Sequence, residues 1–180
     1  GIFVMNKCLL SICIPTYNRA RYLEQLFESI ISQINNNNKH NIEICISDNA
    51  STDNTYEIVN KFANKDIISI VYNRNEKNMG PDYNFIKSIE IANGKFCWFV
   101  GSDDVIAPNA IDYILNYINI NDSDIYICDR LECDINMVPL KERSFFLRKK
   151  ISVNTTGNLE NIITYFESVN SLGGVFSYIS

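Results

Sequence analysis

Three stretches of this 180-residue chain gather side chains able to do chemistry, and each follows an apolar run. Pro15-Thr16-Tyr17-Asn18-Arg19 follows Leu9 to Ile14, Ser47-Asp48-Asn49-Ala50-Ser51-Thr52-Asp53 follows Ile42 to Ile46, and Gly101-Ser102-Asp103-Asp104 follows Phe96 to Val100. A carboxylate fixed beside an apolar core is costly unless it pairs with a base or binds a cation. Hard oxygen donors of this kind suit Mg²⁺ or Mn²⁺, which keep waters and complete their shell with substrate phosphates. Asp103 and Asp104 fit that chemistry, and they also fit an ordinary turn ahead of Pro108. Asp48 has two readings as well. Ser51 or Asp53 can cap the following helix, Asp53 the more naturally, which leaves Asp48 to accept a hydrogen bond from a base N–H or a ribose hydroxyl. Tyr17 is either a stacking surface for a ring or a loop aromatic covering the core.

What is missing narrows the chemistry further. The glycine-rich phosphate loops G-x-G-x-x-G and G-x-x-x-x-G-K-[ST] are both absent, and 16 Lys plus Arg against 21 Asp plus Glu leave a formal charge of -5. A diphosphate bound here needs its charge neutralised by something else, and a divalent ion on Asp103 is the economical answer. The same acidity, with a single His, excludes a nucleic-acid surface, which needs clustered Lys and Arg. The one basic cluster is short: Arg143, Arg148, Lys149 and Lys150, around Phe145, Phe146 and Leu147. It reads as a solvated hairpin rim, or as a contact to an anionic membrane.

Positioning these groups requires a scaffold, and the pattern specifies one. The apolar periodicity alternates between strand-like runs and helical spacing, as in α/β proteins built on a mostly parallel sheet. Strands are expected at 9–14, 42–46, 67–72, 96–100 and 124–128, the first four apolar on both faces. Helical stripes are Tyr22, Leu23, Leu26, Phe27, Ile30, Ile31 and Ile34; then Tyr56, Ile58, Val59 and Phe62; then Tyr83, Phe85, Ile86, Ile89 and Ile91. Pro108 suits the first turn of a fourth helix carrying Ile111, Ile114, Leu115 and Ile118. In such a sheet ligands collect beyond the carboxyl ends of the strands, where the three polar stretches fall. Beyond 128 the pattern loosens into an irregular or hairpin segment and a helix over 159–169. The last residues begin a strand that stops at Ser180, which reads as a chain cut short.

The six cysteines carry no C-x-x-C pair, and those at 13, 45, 97 and 128 sit in apolar runs, so they read as buried free thiols in a reducing compartment. No apolar stretch reaches the roughly 18 residues that cross a bilayer. A composition with 46% hydrophobic residues excludes a disordered or collagen-like chain.

Taken together, the motifs resemble family 2 glycosyltransferases. The resemblance rests on Leu10-Ser11-Ile12-Cys13-Ile14-Pro15-Thr16-Tyr17-Asn18-Arg19, Ile46 to Thr55, Asn78-Met79-Gly80 and Phe99 to Pro108 in order, covering about residues 9 to 120. It implies a GT-A-type, Rossmann-like three-layer sandwich, with residues 5–128 as the nucleotide-sugar-binding core and 129–180 as the start of an acceptor-side half. It implies nucleotide-sugar contacts from Pro15, Thr16, Tyr17, Arg19, Asp48, Gly80, Asn84, Ser102 and Asp103, with a divalent metal, Mg²⁺ or Mn²⁺, on Asp103 and Asp104. Gly101 stands where the family usually has an acid, so Ser102 is expected to take over the contact that acid makes. The family's strand order sets the first and fourth strands side by side, with Tyr17 and Asp103 facing one crevice.

The activity so implied is inverting transfer of a sugar from a nucleoside diphosphate to an acceptor hydroxyl, with a carboxylate base and a metal-stabilised leaving group. Asp129, Glu132, Asp134, Glu160 and Glu167 are candidates for the base. None stands in a family motif, so no catalytic residue is assigned and the base is expected beyond Ser180. The implied partners are a nucleoside-diphosphate sugar and a saccharide or lipid-linked acceptor, in bacterial surface polysaccharide synthesis, in the cytoplasm or at the inner membrane face. Two other readings are a noncatalytic nucleotide-sugar-binding module and a receiver-like phosphoacceptor domain. The second needs an acidic pair after the first strand, where this chain has Pro15-Thr16-Tyr17.

Overall fold

A computed structural model describes residues 8–121, 125–128, 131, 133–140 and 175–178. The basic cluster at 143–150, the expected helix over 159–169, and Asp129, Glu132, Glu160 and Glu167 lie outside the described residues. In chain order the elements are β1 (Leu10–Thr16), α1 (Ala20–Ile31), β2 (Ile42–Asp48), α2 (Thr55–Ala63), β3 (Ser69–Arg74), α3 (Pro81–Glu90), β4 (Phe96–Phe99), α4 (Ala110–Ile120), β5 (Ile125–Ile127) and β6 (Val175–Tyr178). The sheet order is β3-β2-β1-β4-β6-β5. β1 pairs in parallel with both β2 and β4, β2 with β3, and β6 runs antiparallel to β4. The expected alternation, mostly parallel sheet and adjacency of the first and fourth strands are therefore present.

The two faces of this sheet are chemically different. Leu10, Ile12 and Ile14 lie in register with Ile42, Ile44 and Ile46, all essentially inaccessible. Burial of each such side chain contributes roughly 1.5–3 kcal/mol. The alternate positions, pointing to the other face, are Ser11, Cys13, Glu43, Cys45, Ser47 and Cys97. α1 and α2 connect β1 to β2 to β3 in one direction, and α3 returns across them to β4. Right-handed crossovers therefore place α3 on the face opposite α1 and α2. α1 buries Leu23, Leu26, Phe27 and Ile30, the i, i+3, i+4, i+7 stripe, and Phe27 stacks on Phe62 of α2 with ring centroids 4.7 Å apart.

α3 does not present the stripe its hydropathy predicts. Its buried residues are Asn84 and Ser88, while Tyr83, Phe85 and Ile86 are exposed. The face it covers is polar and thiol-lined and gives an asparagine a partner, while Phe85 leans on Phe99 with ring centroids 5.7 Å apart. Ile89 and Ile91 do pack against the Cys13, Cys45 and Cys97 cluster. Buried Glu43 is held by Ser11 Oγ (2.6 Å), Asn93 N (2.7 Å) and Asn93 Nδ2 (3.2 Å). Gly94 is glycine because a Cβ there would lie 2.7 Å from the Ser11 backbone nitrogen.

Smaller departures have local reasons. β3 is an edge strand, starts two residues later than expected and is only partly covered. α4 starts at Ala110 behind Asn109, whose φ of 64° is left-handed, so Pro108 lies in the preceding turn. Cys13, Cys45 and Cys97 are buried free thiols, but Cys128 is only partly buried. Burial pushes the Cys8 thiol up to about 12, with the Glu43 charge adding to it, and burial likewise raises Cys45.

The chain divides into two compact units, residues 1–125 with 176–180, and residues 126–175. In the described part of the second unit, Asp134 organises a turn: its Oδ1 accepts from Asn136 N and Val138 N, and Cys133 bridges Pro139. No described helix is long and apolar enough to cross a membrane.

Candidate donor-binding site

The site is built at the carboxyl ends of β1, β2, β3 and β4. Its first part is a pair of loops stitched together. Asn18 N donates to Ser51 Oγ (2.9 Å), Thr52 N donates to Asn18 Oδ1 (2.7 Å), and Ala20 N, the first residue of α1, donates to Asp53 Oδ2 (3.0 Å). Asn18 and Ala50 both have left-handed backbones, with φ of 52° and 63°. This cross-bracing fixes the loop that carries exposed Tyr17 and half-exposed Arg19.

Asp48 sits at 1% exposure, and both of its oxygens are engaged. Oδ1 accepts from Ser51 N (2.8 Å); Oδ2 accepts from Tyr72 OH (2.7 Å) and lies 3.7 Å from Arg74 Nε. Burial, then the hydrogen bond and charge of Asp48, raise the Tyr72 phenol, so it stays protonated and donating at every physiological pH. The acid expected to face a ligand openly is thus enclosed, by two side-chain partners besides Ser51 N. Those partners, Tyr72 and Arg74, help line a cavity of about 550 Å³ with Ser51, Thr52, Asp53, Tyr56 and Glu57. Sequence reasoning missed Tyr72 and Arg74, although applying the strand-end rule to the third strand as to the others reaches Arg74 directly.

Beside Asp48 on β1, in register with it, is Thr16. Its hydroxyl is the one buried side-chain oxygen or nitrogen left without a hydrogen bond among the described residues, at 2% exposure. Such an orphan is disfavoured unless something else meets it. Pro15 precedes it within β1, so both are strand residues and not members of the loop.

The β4 loop supplies the acids. Ser102 is buried; Asp103 is half exposed, with Oδ2 4.0 Å from Arg19 NH1. Asp104 Oδ2 accepts from Gly101 N (3.1 Å). A Cβ on residue 101 would lie 2.7 Å from Asp104 Oδ2 and 3.1 Å from Asp103 Oδ1. Gly101 therefore leaves room over which the two carboxylates fold, and a side chain at this position would make the Asp104 carboxylate shift. That donor set, hard oxygens converging on an open cradle, fits a divalent ion that keeps waters and takes phosphate oxygens. No group of three or more His, Cys, Asp or Glu capable of holding a metal occurs among the described residues.

Asn84 occupies a different layer. Asn84, 3% exposed, is bound by Ser47 Oγ (2.7 Å) and Asn75 Nδ2 (3.2 Å) and donates to Thr16 O (3.2 Å), all beneath the strand ends. Gly80 starts α3 with φ 88°; a Cβ there would meet nothing within 4 Å, so glycine is needed for its backbone and not for space. The base candidate Asp134 holds its own turn with its carboxylate and belongs to the other compact unit.

The structure thus places Pro15, Thr16, Tyr17, Arg19 and Asp48 at adjoining strand ends, and Arg19 joins them to Asp103. Asp48 and Asp103 are each met by an arginine, Arg74 and Arg19, and are not two unpaired acids. Comparison with known proteins gives these positions a context. Residues 11–177 match the Glycosyl transferase family 2 profile. The abequosyltransferase RfbV of Salmonella typhimurium is 45% identical over 176 residues, 96% of this chain and 51% of that protein. Residues 1–349 of S. aureus TarS in complex with UDP superpose with a TM-score of 0.60 at 31% identity, over 66% of this chain and 34% of that one. The poly(ribitol-phosphate) beta-glucosyltransferase of Bacillus spizizenii is 33% identical over 64% of this chain and 18% of that protein. The chain spans about half the length of RfbV and less of the others. With the profile matching most of its length and RfbV 45% identical, the chain belongs to glycosyl transferase family 2.

Proposed function

We propose that this chain is the donor-binding part of an inverting glycosyltransferase that moves a sugar from a nucleoside diphosphate onto a saccharide or lipid-linked acceptor hydroxyl in bacterial surface polysaccharide synthesis, working in the cytoplasm or at the inner membrane face. The observation that carries the reading is the unpartnered Thr16 hydroxyl, buried at the strand ends beside Asp48. Tyr17 and Arg19 follow Thr16 in the chain, and Arg19 reaches to Asp103. The UDP bound by TarS, and the glycosyl transfer for which RfbV is named, support the same class of donor.

In this reading the nucleoside lies over β1 and β2, with Thr16 bonding it, Tyr17 offering a ring to stack on, and Asp48 holding Tyr72 and Arg74 in place beside it. Pro15 stiffens the strand end beneath. Asp103 and Asp104 would hold the metal, Mg²⁺ or Mn²⁺, which would supply charge stabilisation for a departing diphosphate. Arg19 offers that diphosphate a cation of its own, and Ser102 lines the turn between the two. The acceptor-activating base is assigned to the part of the relatives that this chain does not span.

Isothermal titration with UDP, CDP, GDP and TDP, with and without Mn²⁺, tests the reading, and Gly101→Ala tests its metal clause. Binding of at least one diphosphate, strengthened by Mn²⁺ and weakened about tenfold by displacing the Asp104 carboxylate with a methyl group, is expected. No binding by any of the four overturns the reading. A noncatalytic module would bind as well; transfer by the full-length protein and its loss on Asp103→Asn separate the two.

A further inference from the structure

Asn49, the residue after Asp48, lies at 3% exposure with every hydrogen-bonding capacity of its amide used. Its Nδ2 donates to Asn78 Oδ1 (2.8 Å) and Gly80 O (3.1 Å), and its Oδ1 accepts from Met79 N (2.9 Å) and Asn75 Nδ2 (3.1 Å). Three of these four bonds end on three consecutive residues, 78 to 80. Its own backbone N–H donates to Thr16 O (2.9 Å), tying it to the end of β1, while Asn75 N donates to Asp48 O (2.8 Å). The segment from Asn75 to Gly80 is thus pinned at its start by the backbone of Asp48 and at its far end by the side chain of Asn49.

Only an amide of this length supplies what the segment asks for. Aspartate keeps the shape and the acceptor but loses both donors, and it sets a carboxylate against Asn78 Oδ1 and Gly80 O. Serine has one donor and a shorter reach. The segment has no competing anchor of equal strength: Asn78, Met79 and the preceding Glu76 and Lys77 are exposed. Gly80 then turns the chain into α3 with its left-handed φ, so the placement of Met79 and Gly80 fixes where that helix starts beside the strand ends.

We propose that Asn49 is a positioning residue for donor binding: it holds Asn78, Met79 and Gly80 as a wall against the strand ends that carry Thr16 and Asp48, so that the nucleoside meets a preformed surface. The inference rests on the glycosyltransferase reading. Preorganisation of this kind raises affinity by removing the ordering that a mobile wall would otherwise undergo on binding.

The test is Asn49→Asp in the 180-residue chain, with hydrogen–deuterium exchange of the peptide covering 75–80 and titration with the diphosphate that the unaltered chain binds best. Far-UV circular dichroism is expected to be unchanged, the 75–80 amides to exchange about tenfold faster, and the diphosphate Kd to rise about tenfold, the equivalent of one lost network of neutral hydrogen bonds. Asn78→Ala, at an exposed position that folding tolerates, removes the contact it shares with Asn49 and its own bond from Gly80 N, and is expected to move both readouts in the same direction by a smaller factor, with less than additive effect on top of Asn49→Asp. Should Asn49→Asp fail to fold, Asn78→Ala carries the test. Unchanged exchange at 75–80 overturns the anchoring role; faster exchange with an unchanged Kd overturns its link to binding. Absence of diphosphate binding by the unaltered chain overturns the glycosyltransferase reading itself, which is a distinct result.

Discussion

Thr16 and Asp53 show how single side chains here serve opposed ends. Thr16 buries a hydroxyl with nothing to bond, a stability cost retained at the strand end. Thr16→Val keeps the shape and removes the orphan, so thermal unfolding is expected at an equal or higher temperature while the diphosphate Kd rises about five- to tenfold, as for one lost hydrogen bond. A variant with unchanged affinity would leave the hydroxyl without a role. Asp53 is the reverse. Burial pushes its carboxyl up, but hydrogen bonds from Thr55 and from Ala20 outweigh that and hold it below the ordinary aspartate value. A depressed folded-state pKa gives stability that is whole above the ordinary value of about 3.9 and is lost as the pH falls through the folded-state value. Asp53→Asn is therefore expected to flatten the acid limb of a stability-against-pH curve and to leave the neutral region less stable. At this scale the sequence disclosed the strand-end acids and Tyr17, because residue type and position suffice for them. It did not disclose that Asp48 is enclosed, because Tyr72 and Arg74 reach it only once β2 and β3 lie in register.

Among the elements, α3 separates what hydropathy can and cannot show. α1 is legible because its stripe meets a face of leucine and isoleucine. α3 is not, because Tyr83, Phe85 and Ile86 stay exposed while its fully buried side chains, Asn84 and Ser88, meet a sheet surface of Ser11, Glu43, Ser47 and thiols. The order of mutational cost on α3 should therefore invert the hydropathy order. Asn84→Ala strips partners from Ser47 Oγ, Asn75 Nδ2 and Thr16 O and is expected to cost about 1–3 kcal/mol. Ile86→Ala, at 57% exposure, is expected to stay within about 0.5 kcal/mol. Chemical denaturation of the two variants checks the ranking, and a larger loss for Ile86→Ala would mean that something covers that face.

The placement of α1 to α3 about β1 to β4 follows from crossover handedness acting on alternating elements. Once β1 and β4 are neighbours, loops some eighty residues apart in sequence, at Arg19 and Asp103, meet across 4.0 Å. That adjacency was readable in advance only through the family resemblance. Periodicity establishes that strands and helices alternate, but strand order depends on which surfaces fit, and single-residue patterns do not carry it.

The thiols beneath α3 make the chain a reporter of its own integrity. Cys13, Cys45 and Cys97 are shut inside the sheet, whereas Cys8, Cys128 and Cys133 are partly open. Brief alkylation with iodoacetamide at neutral pH should leave the first three unmodified in folded molecules, and intact-mass spectra should gain their adducts only as denaturant opens the sheet. The tally of adducts then counts opened molecules directly, without a dye, a tag or an introduced cysteine.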